Sequence, residues 1–394
     1  MSLGERSISG CMKSLAATAS AATLAILALT SAPQALAVSS NATRSADAQL
    51  QRALRELVAR RDGPPGVAVV LQRGKRTSFH TVGVGEVGRR SRIAPSEHMR
   101  LASVAKAFSG AVALSLVAEG KLSLDDTIGK WLPGLPAAWS AVTLRELLAH
   151  TSGIPDFSQT EAFGAALGKS LLLAPAPQAL LTFAPASLDY TPGTRYRYSN
   201  SDNIIAALIA AAAGHSSYEA ELAQRVLAPL GLSGTSLPLG AAMPSRYVHA
   251  YVVDPPKAPE DVSELFAAGW SWASGGIVST PRDANAFVRA YVRGALTDAT
   301  THAAQFTFVP GSSEPMGPGV NSAGLAIFRY RTRCGTVYGH TGNTAGFTQF
   351  IAANASGTRS TVVSVNAQIT PKANAKRFVE LRRIYTLAVC AALA

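Results

Sequence analysis

Strand-type segments lie at the two ends of this chain, and helical ones fill the middle. Residues 67–71 and 77–84 are short β-branched runs joined by a turn at Arg73-Gly74-Lys75. Such runs return at residues 324–331, 337–340, 347–353 and 360–365, separated by Gly, Asn and Ser. Between them, residues 121–265 read as helical segments cut by Pro and Gly turns, 143–149 and 203–213 among them. A helical pattern also runs from Ser103 to Glu119, closed by Gly120. Residues 47–61 form an amphipathic helix with Leu50, Leu54, Leu57 and Val58 on one face, and 375–393 a last helix. The arrangement predicts an α+β fold: an antiparallel sheet built from both chain ends and flanked by helices, with an inserted, mainly helical domain. The sheet part covers about 47–102 and 266–394 and the helical part about 121–265, with a functional cleft expected between them.

Composition narrows the class. With 47% hydrophobic and 15% charged residues, the chain is too apolar to be disordered. Beyond the N-terminus no apolar run reaches about 20 residues, which excludes a multi-span membrane protein. At the N-terminus, Arg6 and Lys13 precede an apolar stretch at 15–29, and Ala35-Leu36-Ala37 supplies an A-x-A site. That order describes a secretory signal peptide over residues 1–37, so the mature protein starts near Val38 and is exported.

Export leaves Cys334 and Cys390 as an even pair in an oxidising setting, and a disulfide between them is expected. In the chain-entropy account a loop of that length stabilises by about 4 kcal/mol. No His or Cys pair has ligand spacing, so neither metal nor cofactor is expected. The net charge of +12 falls to +11 once Glu5, Arg6 and Lys13 leave with the signal. That balance serves solubility or attraction to an anionic surface such as a cell-wall polymer; no motif points to nucleic acid. A monomer is the default for an exported chain of this length.

Three short motifs carry chemistry. In Ser103-Val104-Ala105-Lys106 the hydroxyl and amine share a helix face, and a neutral amine can take a proton from serine. With 38 Ser and nine Lys, that pattern alone is expected by chance about 0.9 times. Tyr198-Ser199-Asn200 follows the turn Thr191-Pro192-Gly193; its Tyr-x-Asn pattern is expected about 0.2 times, and His340-Thr341-Gly342 about 0.04 times. Together, and in this order, they are specific.

This set resembles the penicillin-recognising serine hydrolases: D-alanyl-D-alanine carboxypeptidases, class C β-lactamases and their esterase relatives. Leu147-Leu148-Ala149-His150-Thr151-Ser152-Gly153, Pro229-Leu230-Gly231-Leu232 and Ala273-Ser274-Gly275-Gly276 extend the resemblance over most of the chain, and it is strongest to secreted actinomycete carboxypeptidases. It implies that Ser103 forms an acyl-enzyme, that Lys106 holds its proton, and that Tyr198 passes a proton to the leaving amine. Asn200 would bond an amide of the acyl group. The backbone N–H groups of Ser103 and Asn343 would form the oxyanion hole. His340, Thr341 and Gly342 would line the substrate-binding strand, with the Thr341 hydroxyl facing a terminal carboxylate. The implied function is a D-alanyl-D-alanine carboxypeptidase that also binds penicillin, acting on a small peptide or β-lactam. Esterase, D-amino-acid amidase and β-lactamase are rivals within the chemistry, and a penicillin-binding sensor module is one outside it.

Two departures bear on substrate. His340 stands where many relatives carry a permanently charged lysine. An arginine that grips the substrate carboxylate is expected soon after Gly324-Leu325, but Phe328 takes that place and Arg329 comes one residue late, on the other strand face. Trp270 and Trp272 supply either flat pocket walls, Trp270 being the candidate substrate contact, or core packing. His150 reads as a loop-holding residue and Asp125-Asp126 as the cap of a short helix.

Overall fold

The computed structural model describes residues 32–394, with side chains from residue 43 onward. Among the described residues, Ser45–Ala394 make one compact unit. The apolar stretch at 15–29, on which the signal-peptide expectation rests, lies outside the described residues.

Seven strands form one antiparallel sheet: β1 (Gly66–Arg73), β2 (Arg76–Gly83), β3 (Val320–Ala323), β4 (Phe328–Thr332), β5 (Gly335–Thr344), β6 (Phe347–Ala353) and β7 (Arg359–Val365). Their order is β2-β1-β7-β6-β5-β4-β3. Thus β1 pairs with β7, Val67 opposite Val365, and the two chain ends close one sheet.

Helices cover both faces. On one lie the part of α1 (Ala32–Val58) from Ser45 onward and the last helix, Ala375–Leu393, whose Leu50, Leu54, Leu57, Leu381 and Val389 are buried against Val69, Phe350 and Val363. On the other lie α2 (Ala105–Ala118) and the helix Pro281–Val292, where Phe108 stacks on Phe287 with ring centroids 3.6 Å apart. Helix α2 is buried on nearly all sides, as its mainly apolar sequence requires, and carries Lys106, Ser109 and Ser115 into the interior. The disulfide Cys334–Cys390 ties the β4–β5 turn to the last helix, with Cα atoms 5.1 Å apart.

The inserted region is less regular than its sequence pattern implies. Thr143 caps the helix Leu144–Leu148 in a capping box with Glu146, and α3 (Asn200–Gly214) crosses the region, but a two-stranded ribbon pairs Tyr251 with Asp261. Asp126 caps no helix. It accepts from Ser123 N, Lys130 and Trp131, bracing the turn before the helix Ile128–Trp131, while Asp125 pairs with Arg145.

Residues 324–331 are not one strand. Gly324 N donates to Ile327 O at 2.7 Å, making a tight turn with Ala326 at φ 52°. The turn is held from outside: Ala326 N donates to Leu148 O, and Tyr291 Oη donates to Ala326 O. It also lies so close to α2 that a Cβ on Gly110 would stand 2.1 Å from the Ala326 Cβ. Tertiary bonds here override the strand propensity of Leu325 and Ile327.

Candidate active site

Ser103 lies in the single 3-10 turn Ala102–Val104 that leads into α2, one residue after Ala102 with its strained φ of 51°. Lys106, one turn later, is fully buried. Its Nζ is 3.2 Å from Ser103 Oγ, 2.7 Å from Asn200 Oδ1 and 2.8 Å from Ser274 O. Burial pushes the Lys106 amine down to about 7, against the opposing pull of Asp156 and Asp202. A neutral amine has two N–H groups, and Asn200 Oδ1 and Ser274 O accept both. The lone pair is then left facing the Ser103 hydroxyl, so the arrangement can withdraw the serine proton.

Asn200 opens α3, and its amide is committed to this network. While Oδ1 accepts from Lys106, Nδ2 donates to Asp156 Oδ2 and Ser158 Oγ, each at 2.9 Å. Tyr198, in the extended segment just before α3, packs its ring 4.8 Å from Lys106 Nζ and 4.6 Å from the His150 ring. Its hydroxyl is buried beside Ser103. Burial raises the phenol's pKa, which the neighbouring Ser103 hydroxyl partly offsets, so Tyr198 stays a neutral phenol.

Behind Tyr198, His150 Nδ1 lies 2.9 Å from Asp202 Oδ2, and Ser152 Oγ donates to Asp202 Oδ1. This pair ties the turn after Leu148 to the first turn of α3. Asp202 and Asp156 are the carboxylates that sequence reasoning missed; each follows a motif within a few residues, but nothing in the spacing marks it as buried.

His340, Thr341 and Gly342 occupy β5 beside the serine turn. A Cβ on Gly342 would stand 2.2 Å from Leu101 O, so only glycine lets the strand approach. His340 Nδ1 donates to Thr341 O at 2.6 Å. Burial pushes the imidazole down to about 3, so this strand presents a neutral ring. That ring sits behind the cleft, edge-on to Phe328 at 5.0 Å and 6.5 Å from Tyr198. Arg329 points away from Phe328: its guanidinium stacks on Phe308, 4.2 Å from the ring centroid.

Two lobes meet at Ser103 and Asn343. One, of about 310 Å³, is lined by Tyr198, Thr341, Gly342, Glu314, Met316 and Phe378 among others. The second, of about 190 Å³, is lined by Asn200, Trp270, Phe157 and Phe163. Trp270 thus serves as both wall and core, its Nε1 donating to Ser170 O, whereas Trp272 is buried against Tyr218 and bonds Glu219. Among the described residues no lysine or arginine lines the larger lobe, and its one charged residue is the exposed Glu314. Among the described residues no group of His, Cys, Asp and Glu could hold a metal ion.

A sheet closed by both chain ends, with a serine, a buried lysine and a tyrosine at its edge, defines a serine hydrolase of the penicillin-recognising class. The beta-lactamase family matches residues 50–385, and the chain belongs to that family. It is 28% identical to a D-stereospecific amidohydrolase from Streptomyces sp., with a TM-score of 0.74 over 85% of this chain and 98% of that one. Against the D-amino acid amidase of Ochrobactrum anthropi SV3 the identity is 25% and the TM-score 0.70, covering 85% and 98%. Penicillin-binding protein 4* of Bacillus subtilis (strain 168) is 26% identical over 197 residues, 48% of this chain and 42% of that protein. The matched part therefore spans less than half of that curated relative.

Proposed function

We propose that this protein is a serine amidohydrolase that cleaves amides of D-amino acids and releases an amine carrying no negative charge. One observation carries the reading: the larger lobe has no cation to hold a carboxylate and instead presents Glu314. The names of the Streptomyces and Ochrobactrum relatives support it. Asn200 and Trp270 flank the smaller lobe, which suits the acyl part; Tyr198 and Thr341 flank the larger, which suits the leaving group.

In this reading Ser103 Oγ attacks the amide carbon and its proton passes to neutral Lys106. The oxyanion is held by the backbone N–H groups of Ser103 and Asn343. As the C–N bond breaks, Tyr198 gives its proton to the departing nitrogen and is reprotonated from Lys106, leaving an ester on Ser103 and a free amine. Water then attacks the ester, its proton returns to the serine oxygen through the same pair, and the acid departs. His340 acts as a positioning residue behind Tyr198. With residues 1–37 as a signal peptide, the enzyme would work as an exported monomer.

The test is hydrolysis of D- and L-phenylalanine amide, a peptide ending in D-alanyl-D-alanine, and a penicillin, with Ser103→Ala as control. The D-amide should turn over at least tenfold faster than the L-amide and the peptide, and Ser103→Ala should be inactive. Faster release of D-alanine from the peptide would replace this reading with the carboxypeptidase one, which the motif set and the penicillin-binding relative favour. A long-lived penicillin adduct without turnover of any substrate would make it a sensor.

A further inference from the structure

A second cavity, of about 490 Å³, lies between β1, β2 and the helix Pro281–Val292 and shares no lining residue with the catalytic cleft. Its size is within the range of about 300–1,000 Å³ typical of small-molecule sites. Val70, Phe79 and Ala286 give it an apolar surface. Beside these, Gln72 Oε1 accepts from Thr77 Oγ1 at 2.6 Å and from Asn285 Nδ2 at 3.3 Å, and Ser360 Oγ donates to Asn285 Oδ1 at 2.6 Å. The buried Ser78 Oγ lacks a partner among the described residues, but Gln72, Thr77 and Asn285 are already satisfied and fixed in place.

The two arginines on the wall are not. Arg282 and Arg289 stand seven residues apart on one helix, about 10 Å along its axis. Arg289 spends Nε on Gly357 O at 2.8 Å, which leaves both terminal nitrogens without a partner among the described residues. The Arg282 guanidinium has none either, and no Asp or Glu lines the cavity. The nearest acid on the helix, Asp283, is turned away to accept from Gly234 N and Thr235 Oγ1. Arg73, Arg225 and Arg377, by contrast, each meet carboxylates. Burial and the like charge of Arg293 lower the Arg289 pKa, as expected for a cation lacking a counter-charge.

The geometry points to a second binding site, for an organic anion with an acidic head between Arg282 and Arg289 and a short hydrocarbon body against Phe79, Val70 and Ala286. The head is a phosphate monoester or a carboxylate. Guanidinium groups pair with either in a bidentate manner, and the apolar wall removes the chain from water.

Hexyl phosphate is a suitable probe, titrated calorimetrically at low salt into the full protein carrying Ser103→Ala. We expect saturable 1:1 binding, at least tenfold weaker for inorganic phosphate and for hexanol. Arg282→Gln, at an exposed position, should weaken it at least tenfold, and Ala286→Trp should abolish it by filling the cavity, both with unchanged circular dichroism. On the Ser103 background, both variants should leave hydrolase activity unchanged. Hexanoate binding as tightly as hexyl phosphate would identify the head as a carboxylate site; tenfold weaker binding would make it a phosphate site. Absence of saturable binding would overturn the proposal, as would binding that Arg282→Gln leaves unchanged.

Discussion

Gly342 and Leu101 are packed so closely that a Cβ on the glycine would stand 2.2 Å from the leucine carbonyl oxygen. That approach sets the edge of β5 against the turn carrying Ser103. Gly342→Ala should push strand and turn apart by about 1 Å and lower kcat/KM about 100-fold. Steady-state kinetics beside a thermal melt will check this; a fall in activity below tenfold in a folded variant would contradict it.

The buried Lys106 amine makes a prediction about pH. With its pKa near 7, the amine is protonated below that value and cannot accept the serine proton. The rate should therefore fall about tenfold per unit below pH 7 and level off above it. His150 and His340, both pushed down to about 3 by burial, stay neutral throughout that range, and Tyr198 stays a phenol. A kcat/KM profile from pH 5 to 9 reads this directly, and an unchanged limb in His340→Gln would assign it away from the histidine.

Glu314 makes a prediction about substrate charge. Glu314→Gln should leave hydrolysis of D-phenylalanine amide within about twofold while raising kcat/KM on a D,D-dipeptide with a free carboxylate. The gain should be about two- to fivefold, because the charge sits at a solvated rim. Glu314→Arg should increase the gain further, as measured by competition between the two substrates.

The disulfide Cys334–Cys390 closes a sequence separation of 56 residues. Cys334→Ser with Cys390→Ser should cost about 4 kcal/mol in the chain-entropy account. Urea unfolding of the oxidised protein and the double variant will measure the loss. Activity in the folded state should change little, since neither cysteine lines the cleft.

Much of this protein was legible in one dimension because the relevant relationships are local. Ser103 and Lys106 share a helix face through their three-residue spacing, and alternation along β4 put Arg329 opposite Phe328. The cysteine pair followed from parity once residues 1–37 were read as a signal peptide. Strand runs at both ends were enough to imply one sheet, since β1 needs β7 to bury Val67 and Val69.

What the tertiary structure alone decided depends on groups brought together across long stretches of chain. The bend at Gly324–Ile327 is imposed by Leu148, Tyr291 and Gly110, none of which local propensity can register. The basicity of Lys106 is lowered by burial among Asn200, Ser274 and Tyr198, which lie some 90 to 170 residues away. Asp202, Glu314 and the unpaired Arg282 are ordinary polar residues in sequence. They acquire roles because packing removes water from one, sets another at the rim of a cleft and leaves the third without a counter-charge. Spacing determined which groups could react; desolvation, which only a packed interior provides, determined their charge and the charge of what they can bind.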